Sequence, residues 1–317
     1  MNVLSLFDGI SCGQIALNRA GVKYENYFAS EIDKNSIKVT QKNYPNTIQL
    51  GSVEKIDISK LPKIDILIGG SPCQGFSVAG KQLNFDDPRS KLFFDFIKIK
   101  NKIKPKYFFL ENVKMRKEFQ DIITEYIGVE PIEINSELVS AQHRRRLYWT
   151  NIQFDIPEDK NINLKDILDN EVNEGIKVKF NENGVCKIQA MNKKDVILEE
   201  KFQPPYTIYE TRTEEGKKAR REIRKLTGRD STPRGVKHKE YRVNQKSKAN
   251  CLVTVQSELN KIVDDNYNYR YLTRNELCRL QNVPENYFSD DISDNLVRKM
   301  LGNGWTVDII AHIFKQI

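Results

Sequence analysis

The segment Ile64-Asp65-Ile66-Leu67-Ile68-Gly69-Gly70-Ser71-Pro72-Cys73-Gln74-Gly75-Phe76-Ser77 puts a cysteine just after an apolar run closed by two glycines. An open α/β sheet presents a nucleophile in this way, at the carboxyl end of a strand where ligands collect. The same segment also suits a small buried cysteine, the commoner fate of that residue type. A second loop, Phe7-Asp8-Gly9-Ile10-Ser11-Cys12-Gly13, carries glycines where a first strand turns into a first helix. Such a turn lets a ligand approach the backbone closely. Glu31 closes the presumed second strand, a position from which a carboxylate accepts from ribose hydroxyls. The glycine spacing is not G-x-G-x-x-G, and no lysine-bearing phosphate loop is present. A nucleoside cofactor without a pyrophosphate therefore fits better than NAD, with an ordinary strand-to-helix turn as the alternative. Arg144 and Arg146 alternate along an expected strand and share one face, while Arg145 points away.

These residues need elements to hold them. Residues 1 to about 150 read as strands alternating with helices: strands at Val3 to Phe7, Tyr24 to Ser30, Ile64 to Ile68 and Tyr107 to Leu110, helices at Gln14 to Ala20, Lys34 to Asn43 and Phe93 to Ile103. Gly21 fits the stop of the first helix, and Glu111-Asn112 stands at the end of the fourth strand. The alternation predicts an open, mostly parallel sheet with helices on both faces. From about Asn151 to Asn268 the apolar periodicity weakens, which predicts a smaller, irregular domain. Within it Glu214 to Leu226 predicts a helix with Ala219, Ile223 and Leu226 on one face. The tail is regular again, with helices at Thr273 to Gln281, Ser293 to Leu301 and Val307 to Phe314, and a Gly302-Asn303-Gly304-Trp305 turn. Thr273 and Glu276 have capping-box spacing.

The composition excludes several classes. The 317 residues are 39% hydrophobic and 30% charged, with no apolar stretch near the roughly 18 residues of a membrane span. Val3 to Phe7 already reads as a strand, so no leader is expected before it. Five scattered cysteines give no disulfide framework, and three histidines form no zinc-like spacing with them. A reducing, cytoplasmic compartment and no metal are expected. The net charge is +8, and between Lys217 and Arg242 eleven Lys or Arg face three acids, an excess equal to that of the whole chain. Such a block suggests a polyanionic partner, or else a solvated lysine-rich surface.

In chain order, Phe7-x-Gly9, Glu31, Pro72-Cys73, Glu111-Asn112-Val113, Gln142-x-Arg144-x-Arg146 and Gly302-Asn303 resemble the motifs of the DNA cytosine-5 methyltransferases. The flavour is closest to the mammalian de novo branch and its compact bacterial and phage relatives. The resemblance implies a Rossmann-like α/β methyltransferase sheet at 1–151, to which 269–317 return, and a smaller target-recognition domain at 152–268. It implies methyl transfer from S-adenosylmethionine to carbon 5 of a flipped-out cytosine in a short site of double-stranded DNA, by a monomer. Cys73 is assigned the addition to carbon 6, Glu111 the contact with N3 and the exocyclic amine, and Arg144 and Arg146 a place near the cytosine O2 and the catalytic loop. Phe7 would pack on the adenine and Glu31 bind the ribose, with Asp8, Gly9, Pro72, Leu92 and Asn303 lining the rest. The family's usual Gly-Asp after the second helix is Gly51-Ser52 here, which leaves Ser52 as an uncharged acceptor toward the adenine. Gln74, Ser77 and Gln142 near the target base, and Arg229, Arg234 and Arg242 in the middle domain, are the expected DNA contacts. Two rivals share parts of this pattern. A tRNA methyltransferase of the DNA-methyltransferase-like type is disfavoured because Cys251-Leu252-Val253-Thr254 lacks its Cys-Phe-Thr signature. A catalytically silent DNA-binding homologue finds no lesion at Cys73, Glu111 or the arginines to support it.

Overall fold

The apolar runs become the centre of a seven-stranded sheet. The computed structural model describes residues 1–71, 88–170, 172, 174–189, 195–228, 231, 239–244, 247–254 and 260–317. The sheet holds β1 (Asn2–Leu6), β2 (Asn26–Ser30), β3 (Ile48–Gln49), β4 (Ile66–Gly69), β5 (Tyr107–Val113), β6 (Ile132–Asn135) and β7 (Arg145–Thr150), in the order β3-β2-β1-β4-β5-β7-β6. Pairing is parallel from β3 across to β5, and β7 runs antiparallel to both its neighbours. Helices α1 (Cys12–Ala20), α2 (Lys34–Asn43), α3 (Pro88–Ile103) and α4 (Lys117–Ile127) make the connections.

Strand residues alternate between two cores, as a period of two requires. Val3, Ile66, Ile68 and Phe109 pack on one side with Ile15 and Ala16 of α1. Leu4, Leu6, Leu67, Phe108 and Leu110 pack on the other with Phe93, Phe96 and Ile123. The strand order reverses between β1 and β4, so the loops after these strands diverge and leave a crevice at their carboxyl ends. Both motif loops leave the sheet at that crevice.

The second region departs from the irregular domain expected of it. It forms a seven-stranded sheet of β8 (Ile176–Lys177), β9 (Val185–Gln189), β10 (Asp195–Glu199), β11 (Tyr206–Arg212), β12 (Lys239–Asn244), β13 (Lys261–Val263) and β14 (Asn268–Tyr271), ordered β8-β14-β13-β11-β12-β10-β9. Its strands are short, and several pair with partners distant in sequence, so no local apolar run marks them. Helix α5 (Glu214–Thr227) separates the antiparallel pair β11 and β12. Leu226, expected on the packing face of α5, is 83% exposed. The helix is anchored near its start, where Gly216 is buried, and its last turn lies in solvent.

Ile152, Leu164 and Ile167 pack in the first core, and β14 runs past 268 to Tyr271. The chain then closes with α6 (Arg274–Leu280), α7 (Asp294–Asn303) and α8 (Val307–Phe314). The Thr273–Glu276 capping box is present. Glu276 also holds Arg270 of β14 through two hydrogen bonds of 2.8 Å, and Arg270 bonds Asp264 at 2.8 Å. This buried network ties the second sheet to α6 and hence to the first core.

Candidate active site

Strand β5 runs three residues beyond its expected end because β7 pairs with it through Val113. Glu111 therefore sits on a rigid strand, with its side chain 11% exposed. One carboxylate oxygen lies 3.0 Å from Arg146 Nε, and the other accepts from Trp305 Nε1 at 3.1 Å. Desolvation is the largest single influence on Arg146 and opposes its charge, but Glu111, Cys251 and Tyr148 together raise its pKa above the usual value. Gly70 passes directly beside this group. A Cβ there would lie 2.9 Å from Trp305 Nε1 and 3.2 Å from Glu111 Oε2, so only glycine lets the loop approach so closely. Asn112 donates to the Ser71 carbonyl at 3.3 Å and to its hydroxyl at 3.2 Å, anchoring the same loop. Pro72, Cys73, Gln74 and Ser77 follow in sequence and lie outside the described residues.

The two arginines share a face but not a role. Arg144 is 3% exposed and donates from Nη2 to the carbonyls of Gly302 at 3.1 Å and Gly304 at 2.8 Å. Burial and the neighbouring Arg146 both disfavour its charge. Arg144 thus braces the turn at the end of α7. Arg145 points away as expected, toward Glu133. Gln142 needs a correction. It is fully buried, accepts from the Leu252 amide at 2.7 Å and donates to the Leu280 carbonyl at 3.1 Å, so it joins three segments and has no face for DNA.

The cofactor side lies at the ends of β1 and β2. The Gly9 amide donates to Glu31 Oε2 at 2.7 Å, while Glu31 Oε1 accepts from the Ile32 and Asp33 amides at 2.7 and 2.8 Å. Three backbone donors fix this carboxylate and leave it acceptor capacity for a diol. Space around Gly9 is open, with nothing within 4 Å of the point where a Cβ would stand. Phe7 and Ser11 flank it at φ 59° and 60°, a left-handed conformation that non-glycine residues adopt at a cost of order 1–3 kcal/mol. Phe7, Ser52 and Leu92 are half-buried and Asn303 is exposed. Asp8 departs from its expected lining role. Its carboxylate turns inward to Tyr27 Oη at 2.7 Å and to the Ser11 hydroxyl, and burial pushes its pKa up to about 6. Cys12, the positional competitor of Cys73, is buried, and desolvation pushes its thiol up to about 12, which removes it as a nucleophile.

On the second sheet, Arg242 is exposed and paired to Glu240, whereas Arg229 and Arg234 lie outside the described residues. Lys218, Arg221, Arg224 and Lys225 are exposed on α5. Sequence reasoning assigns no role to Trp305 or Cys251. Trp305 stands two residues after Asn303 in the Gly-Asn-Gly-Trp turn, a signal that could have found it. Cys251 Sγ lies 3.4 Å from Arg144 Nη1 and 3.9 Å from Arg146 Nη2, a contact across more than a hundred residues with no local signature. Among the described residues, no His, Cys, Asp or Glu group could hold a metal ion, and no helix is long and apolar enough to cross a membrane.

Similarity to known proteins follows the same layout. The orphan methyltransferase M.SPRI of Bacillus phage SPR is 34% identical over 233 residues, which are 67% of this chain and 53% of that protein. This chain thus aligns to only about half the length of that relative. The type II methyltransferase M1.ScrFI of Lactococcus lactis subsp. cremoris is 30% identical over 332 aligned positions, covering 99% of this chain and 77% of that protein. The Entamoeba histolytica methyltransferase EhMeth shares the fold with a TM-score of 0.63 at 18% identity, over 100% of this chain and 97% of that one. The family model for the C-5 cytosine-specific DNA methylases matches residues 1–317, and the chain belongs to that family.

Proposed function

We propose that this chain methylates carbon 5 of cytosine in double-stranded DNA. The observation that carries the reading is Glu111, a carboxylate fixed on both oxygens at the crevice beside the loop that leads to Cys73. S-adenosylmethionine, when bound, supplies an electrophilic methyl group. The chain's residues do the rest. Glu31 and the Gly9 turn hold the ribose, Phe7 packs on the adenine, and Ser52 accepts from its amine. The Cys73 thiolate adds to carbon 6 of the cytosine, and Glu111 holds N3 and the exocyclic amine, drawing off the charge that develops. Carbon 5 would then take the methyl group as the bond from that methyl to the donor's sulfonium sulfur breaks, which leaves S-adenosylhomocysteine. Loss of the carbon 5 proton and cleavage of the sulfur–carbon bond restore the aromatic ring and the thiolate. Arg146 keeps Glu111 oriented, while Arg144 keeps the 302–304 turn in place.

Reaching a base inside a duplex requires extruding it, at a cost of a few kcal/mol that DNA contacts elsewhere must offset. The second sheet and the cationic α5 are suited to supplying them.

Duplex DNA carrying 5-fluorocytosine tests the mechanism. With fluorine at carbon 5 no proton can leave, so the wild-type protein with its methyl donor should form a covalent complex stable to denaturant. Cys73→Ala should form none and should retain cofactor binding. A Cys73→Ala protein that still methylates ordinary DNA would overturn the proposal.

A further inference from the structure

Strand β12 alternates cleanly. Tyr241 and Val243 enter the core of the second sheet with Val196, Tyr206 and Ile208, and Glu240, Arg242 and Asn244 take the opposite face. On β11, Tyr209 stands directly opposite Arg242, Thr211 opposite Glu240 and Thr207 opposite Asn244. Glu240 is 7% exposed although it lies on this polar face. Its Oε1 accepts from Arg242 Nε at 2.6 Å and lies 2.6 Å from Nη2. The Arg242 side chain is nevertheless 57% exposed. The Nε–Nη2 edge of the guanidinium is therefore clamped, while more than half of the side chain's surface stays open to solvent.

This face is continuous with the active site. Asn244 Nδ2 donates to Asn250 Oδ1 at 3.2 Å. Asn250 precedes Cys251, whose sulfur touches Arg144 and Arg146. Arg242 lies two residues, about 7 Å, along the strand from Asn244. On the far side begins α5, whose Glu214 carboxylate feels the Arg242 charge. These contacts link the polar face that carries Arg242 to the arginines beside Glu111.

We propose that Arg242, held in plane by Glu240, reads a guanine in the base pairs flanking the target cytosine. This rests on the DNA methylation reading above and adds a determinant of sequence to it. Two parallel N–H groups of a fixed arginine match guanine O6 and N7 in the major groove. The Arg242–Glu240 pair is also close to neutral, so it contributes little to the charge-driven attraction of phosphates. A phosphate contact needs charge and tolerates a mobile side chain, whereas a bidentate base contact needs a fork in fixed orientation. Arg242 has the fixed orientation without the net charge, and the exposed Lys218, Arg221, Arg224 and Lys225 of α5 have the charge.

The experiment treats a duplex pool, randomised on both sides of a central cytosine, with wild-type protein, Arg242→Lys, Arg242→Gln and Glu240→Gln. Methylated members are read by bisulfite sequencing. Wild type should require a guanine, on either strand, at one or more flanking positions. Arg242→Lys keeps the charge and loses the fork, so discrimination at one such position should fall about 5- to 150-fold. The other positions should keep their profile, and non-specific DNA affinity should hold. Glu240→Gln should relax the same position to a smaller degree. A wild-type profile without a guanine requirement, or an unchanged profile in Arg242→Lys, overturns the inference. Uniform weakening in Arg242→Gln, with a salt slope lower by about one and the base profile intact, also overturns it and assigns Arg242 to a phosphate. A pool left wholly unmethylated by the wild-type protein instead refutes the methylation reading, and this inference with it.

Discussion

Replacing Asp8 with asparagine should make the protein more stable at neutral pH while leaving it little changed in mild acid. Asp8 lies under the cofactor turn, 9% exposed, and accepts from Tyr27 and Ser11. Desolvation, the dominant cause, outweighs those hydrogen bonds and moves its pKa from 3.8 to about 6. A carboxyl with a raised folded-state value binds its proton more tightly when folded. Stability is therefore greatest with Asp8 protonated, falls as pH rises from about 4 to about 6, and stays lower above that. At 1.36 kcal/mol for each pH unit, the ionised group costs about 3 kcal/mol. Asparagine is isosteric and always neutral. Its carbonyl can accept from one hydroxyl, and its amide can donate to the other, since a hydroxyl both donates and accepts. Urea unfolding of both proteins at several pH values between about 4.5 and 8 reads the effect. The stability gap should widen from about 1 kcal/mol at the acid end of that range to about 3 kcal/mol at the alkaline end. A gap independent of pH, or a variant less stable at about pH 8, would show that Asp8 titrates as an ordinary carboxylate and would refute the reasoning.

Three further outcomes are expected. Glu111→Gln removes the charge that Arg146 neutralises and the group that holds N3; single-turnover methylation should slow about 10²- to 10⁴-fold, with cofactor affinity retained. Ser52→Asp restores a carboxylate at the presumed adenine contact, and calorimetry should record several-fold tighter S-adenosylmethionine binding; equal affinity would remove Ser52 from the site. Neutralising Lys218, Arg221, Arg224 and Lys225 together with glutamine should lower the slope of log affinity against log salt by about 0.9 for each DNA phosphate they neutralise in the wild-type protein. An unchanged slope would place the DNA backbone elsewhere.

Much of the fold was legible because its signals are local. The continuous apolar run at Ile64 to Ile68 marks a strand buried on both faces, and β4 is one. Gly21 ends α1 in the left-handed conformation, and Thr273 with Glu276 caps α6, as their residue types require. The second sheet was not legible. In β12 only two or three apolar residues interrupt a charged sequence, and its partner β10 lies about forty residues upstream, so the pairing has no counterpart in the local pattern. Leu226 misled for a related reason: helical spacing defines a face, and nothing in that spacing says whether a partner exists to cover it.

The sequence by itself determined the four central strands of the first sheet with helices α1 to α3, the two glycine-bearing loops at strand ends, and the residue types brought to the crevice. It also determined that Arg144 and Arg146 share a face, since alternation along a strand follows from backbone geometry alone. Only the tertiary structure decided that Arg144 serves the carbonyls of Gly302 and Gly304, 158 and 160 residues away, while Arg146 serves Glu111. It likewise decided that Gln142 and Asp8 face inward and that Glu240 clamps the exposed Arg242. Periodicity fixes a side chain's direction from its strand. Its depth and its partners depend on what remote segments pack against it, and that is set by the fold as a whole.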